Sequence, residues 1–440
     1  MTKENDSWVT ALIRQLPSGL KNAVRRTICL PTSPRAFMAA VFLSRSLGFL
    51  RRPSPGGDGQ VRRILVSYPC ANLGDLVLTL PMLDALHAEW PNATIDVVVR
   101  ARTADLVTGI PYVGNVYQFA NRESWTPELT NYLRVLEGIA LYRKQMTHRD
   151  YDLAISARWG DDPSFGNYLM YLTGAPRRCG YSAGVAGGNL AADRMLTDVA
   201  TGGHHEQEAL RILKLLGRTG LRNEPPEDEG TPFRTIASLR EIAAKETARL
   251  SPKPAGIVST KYIVISSGAT SPRRLWPTQN LLTLMEKLQE REGVTFLLIG
   301  GAEDVQRCED LARSFPERTI SLAGKTTLLQ LIALIANAVL FVGNDSGPAH
   351  LAGALGVPTV VISPFPLSCK EEHPNSSMRF RPCGPRVAMA QPAGPLYPCT
   401  QTCEMEEPHC IRQVSVRQVL DAIDALMPAD SEAISGTPLV

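Results

Sequence analysis

No stretch of this 440-residue chain reaches the roughly 18 consecutive apolar residues that a membrane-spanning helix needs. The best candidate, AFMAAVFLSRSLGFL from Ala36, is too short and carries Arg45. It also starts too late for a secretory signal, which makes a cytoplasmic location the expectation. No Asp-x-Asp pattern follows a strand, where it would hold a divalent cation against a diphosphate: Asp150 and Asp152 stand before the run LAISA, and Asp161 and Asp162 after it are adjacent rather than spaced. Nine cysteines without a secretory signal do not read as a disulfide framework. What remains, 44% hydrophobic and 20% charged residues, is a globular composition. The length exceeds the roughly 250 to 300 residues at which single cores stop growing, so two domains are expected.

Charge is unevenly spread. Residues 1–63 hold 11 Lys and Arg against 3 Asp and Glu, whereas the whole chain carries +3, so the rest is mildly acidic. Trp8, Leu12, Ile13, Leu16, Leu20 and Val24 interleave with those cations. Such a leader, over 1–60, suits an anionic membrane surface. The plainer reading is a solvated tail. An acidic body without a recognisable binding module argues against nucleic acid as a partner.

After the Pro- and Gly-rich break at 53–59, VRRILVSY predicts a strand, residues 75–90 a helix and PNATIDVVVR a second strand. This spacing is a βαβ unit, hence a parallel sheet with helices on its faces. YDLAISA and EALRILKLLGRTG continue the alternation as far as the polar RNEPPEDEGTP at 222–232. A charged helix over 235–250 leads to a second series, from strand KYIVISSG through VTFLLIGG and VLFVGND to PTVVISP, with helices between. The expected architecture is α/β: a leader at 1–60, Rossmann-like domains at 61–225 and 256–413, a linker at 226–255, and a C-terminal helix and tail at 414–440.

Three polar loops follow strands, where α/β sheets open their binding crevice. In NLGDLVLTLPMLDAL (72–86), Asp75 stands at the opening of a helix beside Asn72 and Gly74. A carboxylate there can take a proton from a hydroxyl or simply cap the helix. In SSGATSPRRLWPTQN (266–280), Gly268 gives the backbone room, and Thr270, Arg274 and backbone amides suit a diphosphate, unless this is an ordinary surface loop. In VGNDSGPAHLAGALG (342–356), Asp345, Ser346 and Gly347 precede a helix opened by Pro348, with His350 in its first turn. The amides at such a helix start face an anion, although a lone His there is usually structural.

NLGDLVLTLP, SSGATSPRRLWP, LLIGGAED and GNDSGPAHLAGALGVPTVVI, in that order within residues 61–427, together resemble glycosyltransferase family 9, the lipopolysaccharide heptosyltransferases. GHHEQEALRILKLLG (203–217) is similar to the helix preceding that family's linker. The resemblance implies a GT-B fold and inverting transfer that needs neither metal nor cofactor. It implies a nucleotide diphosphate sugar, ADP-heptose first, as donor and a lipid-linked glycan, the lipopolysaccharide core, as acceptor. Carried onto this chain, it implies that Asp75 is the base, with Asn72 and Gly74 on the acceptor side. Gly268, Thr270, Arg274, Glu303, Asp345, Ser346, Gly347 and His350 then face the donor. Two positions depart: the family usually has Lys where Arg274 stands and commonly His where Leu78 stands. Arg keeps the charge with a different geometry, which touches donor identity rather than reaction class.

Cys383, Cys399, Cys403 and Cys410 are the least explained part of the sequence, in a loop that the resemblance makes family-typical. They lack the two close pairs of a zinc ribbon, so even with His373 and His409 nearby a packed, reduced loop is expected and no metal is assigned. Two other readings suit the same architecture. One is a non-catalytic nucleotide-sugar or glycan-binding protein, against which Asp75 speaks. The other is a nucleotide-sugar epimerase, which would need no acceptor.

Overall fold

The computed structural model describes residues 32–46, 60–221, 236–249, 261–290, 294–369 and 376–427, apart from 70, 123, 125 and 161. A first helix, α1 (Pro34–Ser46), precedes a sheet of β1 (Arg63–Tyr68), β2 (Thr94–Arg100), β3 (Val113–Phe119), β4 (Leu153–Ser156), β5 (Arg177–Tyr181) and β6 (Asp198–Ala200). Its helices are α2 (Leu73–Glu89), α3 (Ala104–Thr108), α4 (Pro127–Leu141), α5 (Gly166–Thr173) and α6 (Glu208–Arg218). After α7 (Ala237–Arg249) comes a second sheet of β7 (Tyr262–Ser266), β8 (Thr295–Ile299), β9 (Thr319–Ser321), β10 (Leu340–Asn344), β11 (Thr359–Ile362) and β12 (Val387–Ala390). It carries α8 (Thr278–Gln289), α9 (Val305–Ser314), α10 (Leu328–Ala336), α11 (Gly347–Leu355), the single-turn α12 (Ser377–Phe380) and α13 (Val416–Leu426).

Both sheets are wholly parallel, with Ile64 of β1, for example, in register with Ile95 and Leu153. RILVSY and YIVIS are apolar on both faces because helices cover both. The strand orders are β3-β2-β1-β4-β5-β6 and β12-β11-β10-β7-β8-β9. Each order reverses once, between β1 and β4 and between β7 and β10. Loops leaving the C-terminal ends of strands at such a switch point splay apart and open a crevice. The loops that follow β1, β7 and β10 are the three singled out from the sequence. The fourth, after β4, holds Arg158 and Trp159.

The segment expected to lie apart as a leader contributes α1 to the first domain. Phe37 and Val41 are buried, Phe37 packs on Tyr168 with ring centroids 4.6 Å apart, and Arg45 donates to the carbonyl of Leu172 at 2.9 Å. The rest of that leader, residues 1–31 and 47–59, lies outside the described residues, as do 222–235, 250–260 and 428–440. The region expected as a linker contains α7, which packs on α10 and carries Leu239 and Ile242 into one apolar cluster shared by both domains. Just before it, the amide of Ile236 donates to the carbonyl of Ala354 at 2.9 Å. The last helix, α13, is part of the second domain, against β11, β12 and α8. Among the described residues no helix is long and apolar enough to cross a membrane.

Candidate active site

Asn72 ends the loop after β1, and Asp75 is the third residue of α2. Oδ2 of Asp75 accepts from the Asn72 amide at 3.0 Å, so this carboxylate does cap its helix. One oxygen suffices for that, and Oδ1 is left for other work. Burial raises the carboxyl above its ordinary range; the Asn72 amide opposes this, Glu208 adds to it, and Arg158 and Arg379 pull it down. A raised proton affinity is what a base at neutral pH requires. The side-chain oxygen of Asn72 accepts from Arg100 at 2.7 Å and from Arg102, placing two guanidinium groups beside the start of α2.

The facing wall is the start of α11. A Cβ on Gly347 would lie 2.9 Å from Cβ of Leu73, and one on Gly74 would lie 2.8 Å from Cδ2 of His350. The two helix starts therefore meet where only glycine leaves space. His350 is buried and its Nδ1 has no partner among the described residues. Burial pushes its imidazole down to about 4, Asp345 opposing and Arg274 assisting, so it is neutral at pH 7. Arg274 lies over the ring of Phe365, 5.2 Å from its centroid, and donates to the carbonyl of Asp345 at 3.1 Å. The Asp345 carboxylate accepts from Ser363 at 3.2 Å. Asn344 donates to the carbonyl of Ser267 at 2.7 Å and accepts from the amide of Trp276 at 3.1 Å, which ties the loops after β7 and β10 together.

The structure thus gathers Asn72, Gly74, Asp75, Arg274, Asp345, Ser346, Gly347 and His350 at the joint of the two domains. Thr270 and Glu303 stand exposed at the ends of β7 and β8. The room expected at Gly268 is already filled: a Cβ there would fall onto the carboxylate of Asp304, which accepts from the amide of Gly301 at 2.9 Å. Asp162 is committed to capping α5, accepting from the amides of Gly166 and Asn167 at 2.9 and 2.7 Å.

One group at this joint escaped sequence reasoning. Glu208, fully buried at the start of α6, accepts from Arg211 at 2.6 Å and from Arg379 of the second domain at 2.8 Å. Both guanidinium groups lie over Trp159, at 4.3 and 5.0 Å from its ring. The i,i+3 spacing of Glu208 and Arg211 was legible in EALRI; the partner from the other domain was not. Leu78, where the resemblance favours His, is buried with Ala209 and Cys383, so this departure fills a dry seam between the domains. Cys383 is accordingly separated from the other three cysteines singled out above. Among the described residues the one cluster of metal-binding side-chain types lies in the 399–410 loop.

Two doubly wound parallel domains joined at their switch-point loops are the architecture of GT-B glycosyltransferases. The family model of glycosyltransferase family 9 (heptosyltransferase) matches residues 140–363, just over half of the chain, and the chain belongs to that family. It is 27% identical over 292 residues to lipopolysaccharide heptosyltransferase 3 of Escherichia coli K12, covering 65% of this chain and 78% of that relative. In structure it is similar to E. coli ADP-heptose lps heptosyltransferase II, with a TM-score of 0.58 at 20% identity over 83% of this chain and 98% of that one. It is also similar to E. coli heptosyltransferase WaaC with ADP, with a TM-score of 0.61 at 18% identity over 83% and 99%. These structures share the GT-B fold expected from the sequence. The chain is a glycosyltransferase, which displaces the epimerase and non-catalytic readings.

Proposed function

We propose that this enzyme is an inverting, metal-independent heptosyltransferase that moves heptose from ADP-heptose onto a lipopolysaccharide core. The observation that carries the reading is Asp75, a carboxylate of raised proton affinity set across the domain joint from Arg274 and the start of α11. In this reading the acceptor hydroxyl enters beside Asn72 and Gly74. Its oxygen bonds to the anomeric carbon while its proton passes to Asp75. The bond from that carbon to the diphosphate breaks on the opposite face, its electron pair leaving on ADP, and the configuration inverts. Arg274, the amides of Ser346 and Gly347, and the hydroxyl of Thr270 offset the charge gathering on the diphosphate. Asp345 holds Arg274 in place, Gly268 keeps its loop close to Asp304, and Glu303 meets the nucleoside. Neutral His350 acts as a hydrogen-bonding group rather than as a cation.

Support for the donor comes from the relatives, one named for ADP-heptose and one solved with ADP. Arg100 and Arg102 give the acceptor side a cationic rim suited to an acidic glycan. Phe42 and Leu43, 71% and 58% exposed on α1, and the basic residues around them suit the lipid end of that acceptor at the cytoplasmic membrane face. The test is incubation of the full chain with heptose-deficient lipopolysaccharide and ADP-, UDP- or GDP-sugars, with and without added Mg²⁺. A mass gain of one heptose from ADP-heptose alone, indifferent to Mg²⁺ and with inverted anomeric configuration by NMR, is expected. Transfer from a different donor, or only with Mg²⁺, would overturn the corresponding part.

A further inference from the structure

The loop between β12 and α13 has little regular structure, yet it brings Cys399, Cys403, His409 and Cys410 around one point. One ligand atom from each lies within 4.8 Å of all the others. The three cysteines are unpaired and form a small buried cluster of their own. Nδ1 of His409 is 3.6 Å from Sγ of Cys399 and 3.5 Å from Sγ of Cys410. A tetrahedral zinc site, with Zn–S of about 2.3 Å and Zn–N of about 2.0 Å, has N···S edges of about 3.5 Å and S···S edges of about 3.8 Å. The two N···S separations here match the edges of such a shell, and the three cysteines are free rather than joined at the roughly 2.0 Å of a disulfide. The amide of Glu404 donates to Sγ of Cys399 at 3.4 Å, the kind of outer contact that steadies a metal-bound thiolate.

We propose that Cys399, Cys403, His409 and Cys410 form a closed, tetrahedral site for a structural zinc ion. Three thiolates and one imidazole select a thiophilic divalent cation. Four protein ligands leave no open coordination position, so the ion takes no part in sugar transfer. Its effect is mechanical. Arg273, next to Arg274, donates to the carbonyl of Cys403 at 3.0 Å, and Trp276 donates through its indole to the carbonyl of Val414 at 2.8 Å. The knot at 399–410 therefore braces the loop after β7 from behind. In a segment without a ladder of backbone hydrogen bonds, metal binding supplies the ordering free energy.

The test uses the full chain purified under reducing conditions without chelator. Elemental analysis should find one zinc per chain, and Cys403→Ser and His409→Ala should each lower it markedly. Because either variant could fold poorly, the wild-type chain is also stripped and titrated with cobalt(II) alone. Intense visible d–d absorption and a thiolate-to-cobalt charge-transfer band, saturating at one equivalent, are the expected signature of a tetrahedral sulfur-rich site. Substoichiometric zinc together with no such cobalt spectrum would overturn the proposal. So would zinc retained in full by both variants, or a native disulfide among these cysteines found by mass spectrometry.

Discussion

Replacing Glu208 by Gln separates the clasp between the domains from Asp75, the proposed base whose carboxyl it influences. Glu208 is fully buried, and its Oε2 takes both Arg211 and Arg379 while Oε1 has no partner among the described residues. Gln keeps the shape and one acceptor but leaves two guanidinium groups uncompensated in a dry setting. Removing one partner of a buried ion pair costs about 3 to 5 kcal/mol. The retained acceptor and the slight exposure of Arg379, 10% against 1% for Arg211, favour the lower end. A loss of that size is a large part of the roughly 5 to 15 kcal/mol that holds a domain together, but leaves it folded. Urea unfolding followed by tryptophan emission reads the change locally, since Trp159 lies against both arginines. The same variant removes a charge that raises Asp75, while Arg158 and Arg379 continue to lower it. The acid limb of the kcat/KM profile should therefore move to lower pH. An unchanged urea midpoint, or an acid limb that stays or moves upward, would refute this reasoning.

Arg274→Ala should weaken ADP binding by roughly 10- to 100-fold, the worth of a hydrogen bond to a charged group at about 1.5 to 3 kcal/mol. Calorimetry with ADP checks this, and Arg274→Lys should recover part of the loss; unaltered affinity would remove Arg274 from the donor side. His350 makes stability pH-dependent with a definite sign. Its folded value of about 4 lies below the ordinary 6.5, so protonation penalises the folded state. The associated stability, about 3 kcal/mol at about 1.4 kcal/mol per unit, is full above pH 6.5 and is lost as pH falls toward 4. Denaturant midpoints across that window should fall more steeply for the wild type than for His350→Gln.

How much of this was legible in the sequence depended on distance along the chain. The strands VRRILVSY and KYIVISSG and the loops after them announce themselves locally, through apolar runs broken by Gly, Pro and Asp. Asp75 was legible both as a cap, which the structure shows, and as a candidate base, because capping and base chemistry ask for the same residue at a helix start. RRCGY and DVA are short and partly polar, and DVA lies at the edge of the first sheet, so β5 and β6 carry no periodic signal. The Glu208–Arg379 pair spans 171 residues, which no local pattern can reveal. At the cysteine loop, the sequence groups Cys383 with three other thiols, and their spacing assigns no metal. The fold instead places Cys383 beside Leu78 and brings His409 to the other three. The space at Gly268 belongs to Asp304, a side chain from the end of another strand.

The most direct test of the account is Asp75→Asn, which keeps the size of the side chain while removing its basicity. Turnover of ADP-heptose onto a heptose-deficient lipopolysaccharide acceptor should fall by about 10²- to 10⁴-fold. The dissociation constant for ADP, measured on the same preparation, should stay within a factor of about two, since the proposed donor site lies on the facing domain. Turnover near that of the wild type would contradict the assignment of Asp75 as the base, and with it the mechanism built on the joint between α2 and α11.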